Sequence, residues 1–331
     1  MNNETPYQGK PAMTRKNANL RNGTIIGTLG LLLALGLAAC NERQRAAPPP
    51  RTTDAVASPE ANGPAARPAT QEQAEAAKPR PPAVPATPPR PLSPQEIEAM
   101  WMQPELASEH YGVRLEAVRS IFHRLRSRGQ LDEARIALVI LLDEVEKKEG
   151  GAMAQRVAFA EAGNLETQQD YRAAVMAYQL LLDRYPNGTF AAEGRYHLGG
   201  TYLEQHDYAA AEQAWQCLIE QHDDSPFAPW GWRKLALAQL LQGQIDTSLV
   251  TLELMAAKYP GTEFEDYARM RQGYVYVVAG RTAEAQAAYE AFLAQYPHSV
   301  YVRLVRQQLA ALEHGAPDGS DVLARVNGPY E

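Results

Sequence analysis

Over most of the chain, apolar residues recur at steps of three and four, the pattern of amphipathic helices. In 195–205 they are Tyr196, Leu198, Tyr202 and Leu203; in 208–221 they are Ala211, Ala214, Trp215, Leu218 and Ile219. Both windows read as helices joined by a short turn. Ser93-Pro94-Gln95-Glu96 opens the patterned region as a capping box with proline at the first helical position. Pro104 is expected to end that first short helix.

The pattern then repeats. Tyr171, Tyr208, Ile245 and Thr282 stand 37 residues apart, as do Ala174, Ala211, Ser248 and Ala285. The same step links Ala162, Gly199, Ala236 and Gly273, and also Tyr178, Trp215, Leu252 and Tyr289. The loops keep it too, with Tyr185, His222, Tyr259 and Tyr296 followed by Pro186, Asp223, Pro260 and Pro297. A fixed period near 35 residues marks stacked helix pairs. Gly199 and Ala211 are expected to meet where the two helices of a pair cross. Tyr202 and Trp215 are expected to fill the space between repeats. Proline after tyrosine is expected to stop each second helix. A looser unit carries Val118, Phe122 and Leu125, then Gly129, Leu131, Ala134, Leu138 and Leu141. About five helix pairs result, and Val302, Val305, Leu309 and Leu312 predict a closing helix, as stacked repeats need a capped end.

The first ninety residues follow other patterns. Arg15, Lys16 and Arg21 precede an apolar run from Thr24 to Ala39, about 16 residues long. That is short for a spanning helix, which needs ~20, and suits a signal peptide. The run ends Leu37-Ala38-Ala39-Cys40, similar at every position to the bacterial lipobox. This resemblance implies cleavage after Ala39 (with Met13 the expected start) and a mature Cys40 carrying a diacylglyceride and an amide-linked acyl chain such as palmitate. Several acyl chains on one residue anchor stably. Asn41 is not the aspartate that favours inner-membrane retention, so the outer membrane is expected. Of 24 prolines, 14 lie in 46–94, and no aromatic residue occurs between Asn41 and Ile97. Such a segment cannot bury enough apolar area to fold, and reads as a disordered linker, favouring polyproline II, across 40–94. Residues 95–314 are the expected repeat domain, and 315–331 a flexible tail.

The repeat resembles the tetratricopeptide repeat: in the fifth unit, Gly273, Tyr276, Gly280, Ala285, Tyr289 and Pro297. The resemblance implies an all-α, right-handed solenoid whose first helices line a concave groove. Carried over by phase, the groove residues are Arg119, His123 and Arg126, then Arg156 and Phe159, then Tyr196. Trp230, Arg233 and Leu237 follow in the fourth unit, and Tyr267, Met270 and Tyr274 in the fifth. Basic groups at one end and aromatics at the other suit an extended or helical peptide. Phe159 and Gly163 stand where the chaperone-type carboxylate clamp uses Lys and Asn, so that clamp is absent. Tyr-Pro loops behind a lipobox resemble Gram-negative envelope lipoproteins, such as the lipoprotein subunit of the β-barrel assembly machinery (BamD). The carboxyl domain of the Tol-Pal-associated protein YbgF is also similar.

Charge sharpens the partner class. The chain carries −7 overall, and 95–331 holds 21 Lys/Arg against 33 Asp/Glu, or −12. An acidic domain disfavours nucleic acid. The seven histidines are scattered, no metal or cofactor motif occurs, and Cys217 beside Leu218 reads as a small buried hydrophobe. No catalytic constellation is visible. The expectation is a lipid-anchored, periplasm-facing scaffold that binds envelope proteins or peptides, in outer-membrane protein assembly or envelope maintenance. Alternatives are a coordinator of peptidoglycan synthesis and division, a pilotin-type lipoprotein for secretion or pili, and, in another class, a cell-wall enzyme or its regulator.

Overall fold

The computed structural model describes residues 89–314. The expected signal peptide, Cys40, the linker as far as residue 88 and the tail lie outside them. Among the described residues there are twelve α-helices and no strand. Helix α1 is Pro94–Trp101. The Ser93 hydroxyl accepts the Glu96 N–H, and the Glu96 carboxylate accepts the Ser93 N–H at 2.8 Å, so the capping box forms. The helix stops at Trp101; Pro104 does not end it but opens a separate 3-10 turn, Pro104–Ala107.

Five antiparallel pairs follow. They are α2 (Tyr111–Arg126) with α3 (Leu131–Glu149), α4 (Gly151–Thr167) with α5 (Tyr171–Arg184), and α6 (Ala191–Glu204) with α7 (Tyr208–Gln221). Next come α8 (Ala228–Leu241) with α9 (Ile245–Lys258), and α10 (Glu263–Val278) with α11 (Thr282–Gln295). Helix α12 (Val302–Glu313) closes the series, burying Val305 completely against the last pair. The all-α fold, five pairs and capping helix agree with the repeat pattern.

The turn inside each pair has one solution. Gly129, Gln169, His206, Gly243 and Gly280 all have φ between 59 and 75°. The next N–H reaches back to the carbonyl five residues earlier: Asp170 to Leu165 at 3.0 Å, Arg281 to Tyr276 at 2.9 Å. This is a Schellman ending, whose left-handed residue satisfies orphan helix carbonyls. Asp170 and Asp207 then cap the second helix, accepting the N–H of Ala173 and Ala210.

The second helices end at Tyr185, His222, Tyr259 and Tyr296, each with an N–H bonded four residues back. Helix α7 stops at the same register although Asp223 replaces the proline. Proline therefore reinforces the stop, and the cap residue makes it by leaving the helical conformation, with φ −138° and ψ 49° at His222.

The described residues divide into two compact units between Ala191 and Ala192. In the first, residues 89–191, the core holds Phe122, Leu125, Leu138, Leu141, Leu165 and Tyr178, all essentially inaccessible. Burial of such side chains contributes about 1.5–3 kcal/mol each. Tyr185 and Arg184 both reach Glu146, tying the second pair to the first. In the second unit, residues 192–314, apolar layers alternate with a buried polar chain. Thr251 donates to Gln239 at 2.7 Å, and Gln239 donates to Glu212 at 3.1 Å. That chain links α7, α8 and α9 with each of these hydrogen bonds satisfied, which buried polar groups require.

Small residues sit where large ones press. A Cβ placed on Gly199 would lie 2.5 Å from the Trp215 indole, and one on Gly273 would lie 2.4 Å from the Tyr289 ring. The sequence reading placed Gly199 against Ala211, which the structure leaves standing, and Trp215 between repeats, which it corrects. The ring lies over Gly199 inside its own pair. The position equivalent to Ala211 also faces that notch, since the Ser248 hydroxyl donates to the Ala236 carbonyl at 2.8 Å. Residues 211 and 215 are one turn apart on one helix face, so both meet the same stretch of the partner helix.

Candidate functional site

The predicted groove residues fall in both units. In the first unit, Arg119, His123, Glu161, Asn164 and Gln168 line a cleft of about 320 Å³ between α2 and α4. Arg119 Nε lies 2.9 Å from Glu161 Oε1, and Glu161 is almost fully buried. Arg126 bonds Asp170 at 2.8 Å, Gln168 at 2.6 Å and His123 Nδ1 at 3.2 Å. Burial pushes the His123 imidazole below its ordinary value, opposed by Glu161 and helped by Arg126 and Arg119. Both arginines expected at the basic end of the groove, Arg119 and Arg126, are thus engaged in ion pairs that hold helices together. Asp170, the cap of α5, is what Arg126 grips. Arg156 is exposed. Phe159 is half-buried, stacked on Phe190 at 5.0 Å and 17°, and edge-on to Tyr178.

In the second unit, Tyr196 packs near Phe227 at 5.8 Å, and its carbonyl accepts the Trp215 indole N–H at 3.0 Å. Its side chain is half-buried, and its backbone carbonyl holds the tryptophan. Met270 and Tyr267 are also core residues, 5% and 9% exposed. For Met270 the groove role is corrected: it faces inward, and only the rim of Tyr267 is reachable.

The remaining residues form a connected structure. The Arg233 guanidinium lies 3.9 Å from the Tyr267 ring centre and 4.7 Å from that of Trp230. The Arg271 guanidinium lies 4.5 Å from the Tyr274 ring and 5.7 Å from Tyr267. The order is ring, cation, ring, cation, ring: Trp230, Arg233, Tyr267, Arg271, Tyr274. Each such contact contributes about 0.5–2 kcal/mol, more where water is excluded. Trp230 is 41% exposed, although Phe264 abuts it edge-on at 5.7 Å. Burial alone would raise the Tyr267 hydroxyl, but Arg271, Arg233 and Lys234 outweigh it and hold it below the ordinary phenol range.

Sequence reasoning found Trp230, Arg233, Tyr267 and Tyr274 but missed Arg271. The repeat step equates Arg233 with Met270, so periodicity pointed to the wrong neighbour. A helical stripe at 267, 271 and 274 would have found it. Among the described residues no group of acidic, histidine or cysteine side chains could hold a metal, and no helix is long and apolar enough to cross a membrane.

The family model of the tetratricopeptide repeat-like domain matches residues 143–314. No curated protein matches the chain. Solved structures share lower similarity. TPR-like repeats from Podosopora anserina are 18% identical, with TM-score 0.40, covering 58% of this chain and all of that one. A tetratricopeptide repeat protein from Parabacteroides merdae ATCC 43184 is 18% identical, with TM-score 0.37, covering 72% of this chain and 86% of that one. MamA from Desulfovibrio magneticus RS-1 is 16% identical, with TM-score 0.37, covering 54% and 93%. Likenesses at these scores add nothing to the assignment, which rests on the family model and on the helix pairs themselves. The chain belongs to the tetratricopeptide repeat-like domain family.

Proposed function

We propose that this protein is a lipid-anchored scaffold of the bacterial envelope, facing the periplasm, whose repeat domain holds other envelope proteins. The ladder from Trp230 to Tyr274 carries the reading: it presents an exposed tryptophan and stacked arginines on consecutive first helices. Trp, Tyr and Arg dominate the binding energy of protein interfaces, where they fill desolvated pockets near the centre of the contact. The lipobox ending at Cys40 supports the anchor, and the proline-rich stretch supports a tether between membrane and domain. The resemblance to BamD and to the YbgF carboxyl domain belongs to the same reading, and Asn41, which is not the aspartate of inner-membrane retention, favours the outer membrane. The protein works by surface complementarity, without turnover.

Two measurements test this together. Cys40→Ser should abolish labelling by an acyl probe and release the chain from the membrane fraction; labelling that persists overturns the anchor. A photo-crosslinker placed at 230 in the native cell should trap an envelope protein, and one placed at exposed Val250 on α9 should not. Equal trapping at both positions would remove the ladder from the interface.

A further inference from the structure

The cationic half of the ladder says what it would take. Arg233 and Arg271 are half-buried, and neither has an ion-pair partner among the described residues. Other half-buried arginines do: Arg114 holds Glu144, Arg126 holds Asp170, and Arg269 holds Glu253. The lack is not for want of acid, since 95–331 carries −12. Two guanidiniums are kept apart from carboxylates within a strongly acidic domain, their planes covered by rings.

We propose that Arg233 and Arg271 form a two-point receptor for carboxylates on an extended, acidic and partly apolar segment of a partner protein. The inference rests on reading this surface as the partner-binding one. A guanidinium stacked on a ring uses its face for the ring and keeps its N–H edge for a carboxylate, which it can grip bidentately; in Arg233 part of that edge also meets the Tyr267 hydroxyl. Stacking also fixes the side chain beforehand, so little rotamer entropy remains to be lost on binding. The spacing suits the ligand. Both guanidiniums lie near the Tyr267 ring, at 3.9 and 5.7 Å, so they are no more than about 10 Å apart. Alternate side chains of an extended strand point to one side, about 7 Å apart along it. Carboxylates at every second position can therefore reach both cations, and the residue between turns away. Trp230, exposed at the end of the ladder, offers a face for an apolar side chain. The acidity of the rest of the domain repels an acidic chain elsewhere, which confines it to this spot.

The probe is an acetylated and amidated hexapeptide of alternating aspartate and leucine, with its asparagine counterpart as the neutral control. Binding is read by fluorescence anisotropy on the full chain in detergent. The aspartate peptide should bind at least ten-fold tighter than the asparagine peptide, with an affinity that falls as salt rises. Arg233→Gln and Arg271→Gln should each weaken it five-fold or more with helicity by circular dichroism unchanged. Arg233→Lys should not restore it, because an ammonium neither stacks nor forks. Inorganic phosphate at 10-fold excess should compete weakly; full displacement would identify a simple anion site and overturn the peptide reading. Equal affinity for both peptides, or no binding of the aspartate peptide, also overturns it. If both peptides bind equally and Trp230→Ala abolishes both, the partner-binding surface stands and only its carboxylate chemistry fails. Should Arg233→Gln lose helicity, the exposed edge is tested instead by Arg271→Glu, which should lose the aspartate peptide and gain a lysine–leucine one.

Discussion

The Trp215 indole fills the notch left by Gly199, with its N–H bound to the Tyr196 carbonyl at 3.0 Å and its ring fully buried. The same offset pairs Gly273 with Tyr289, and Ala236 with the smaller Leu252. In these three pairs the larger ring faces glycine and the smaller leucine faces alanine, so the size of one residue follows that of the other, as close packing requires.

Gly199→Ala should therefore cost about 1–3 kcal/mol, because the ring is anchored and cannot yield. Gly200→Ala is the control: a Cβ there meets nothing within 4 Å, and alanine favours helix by up to about 1 kcal/mol. Thermal or denaturant melts of the two variants should shift in opposite directions. A similar loss from both would mean that the notch is not what limits residue 199.

The left-handed turn residue gives a second contrast. Gly280→Ala should destabilise by about 1–2 kcal/mol, since φ is 69° there. Gln169→Gly, at φ 60°, should leave stability unchanged or raise it by under about 1 kcal/mol, because relief of strain exceeds the added unfolded-state entropy. Urea titration of both variants checks this, and a clear loss from Gln169→Gly would show that its side chain matters more than its backbone.

His123 makes the first unit sensitive to mild acid. Its folded-state value lies below the ordinary imidazole value of about 6.5, so below that pH the unfolded chain binds a proton that the folded chain refuses. Stability is fully present above about 6.5 and falls as pH drops toward the depressed folded value. Arg119 and Arg126 add to the effect, while Glu161 and Glu116 oppose it. His123→Gln should flatten the melting temperature between pH 6.5 and 5; an unchanged slope would assign it to another group.

The two ends of the predicted groove should separate by phenotype. Trp230→Ala with Arg271→Ala should weaken partner capture while helicity by circular dichroism stays unchanged, any fall in melting temperature being limited to the lost ring–cation contacts. Arg126→Ala should do the reverse, removing ion pairs to a helix cap at a cost of about 1 kcal/mol and leaving capture intact. Capture lost in Arg126→Ala at full stability would return the basic cleft to the interface.

The repeat step made the architecture legible because each unit solves the same local problem. Turn residues and the small–large positions recur at 37 residues, and each is a contact within one pair or its adjoining loop. Such contacts involve few residues close in sequence, so pattern alone locates them. The five pairs and the closing helix were readable for that reason. The compartment reading likewise came from local sequence, the apolar run and the residues before Cys40.

What periodicity could not decide was which equivalent positions face outward. Arg233 and Met270 occupy the same place in the repeat, yet one stacks on rings at the surface and the other fills the core. Arg119 and Arg126 look like groove cations in sequence, and are held instead by Glu161 and Asp170 on the next pair. These outcomes depend on the rotation of one helix against its neighbour, and on whether a carboxylate from a distant helix arrives at a given guanidinium. Periodic sequence sets the spacing along each helix; only packing sets the phase between helices, and with it which charges are spent on the fold and which remain for a partner.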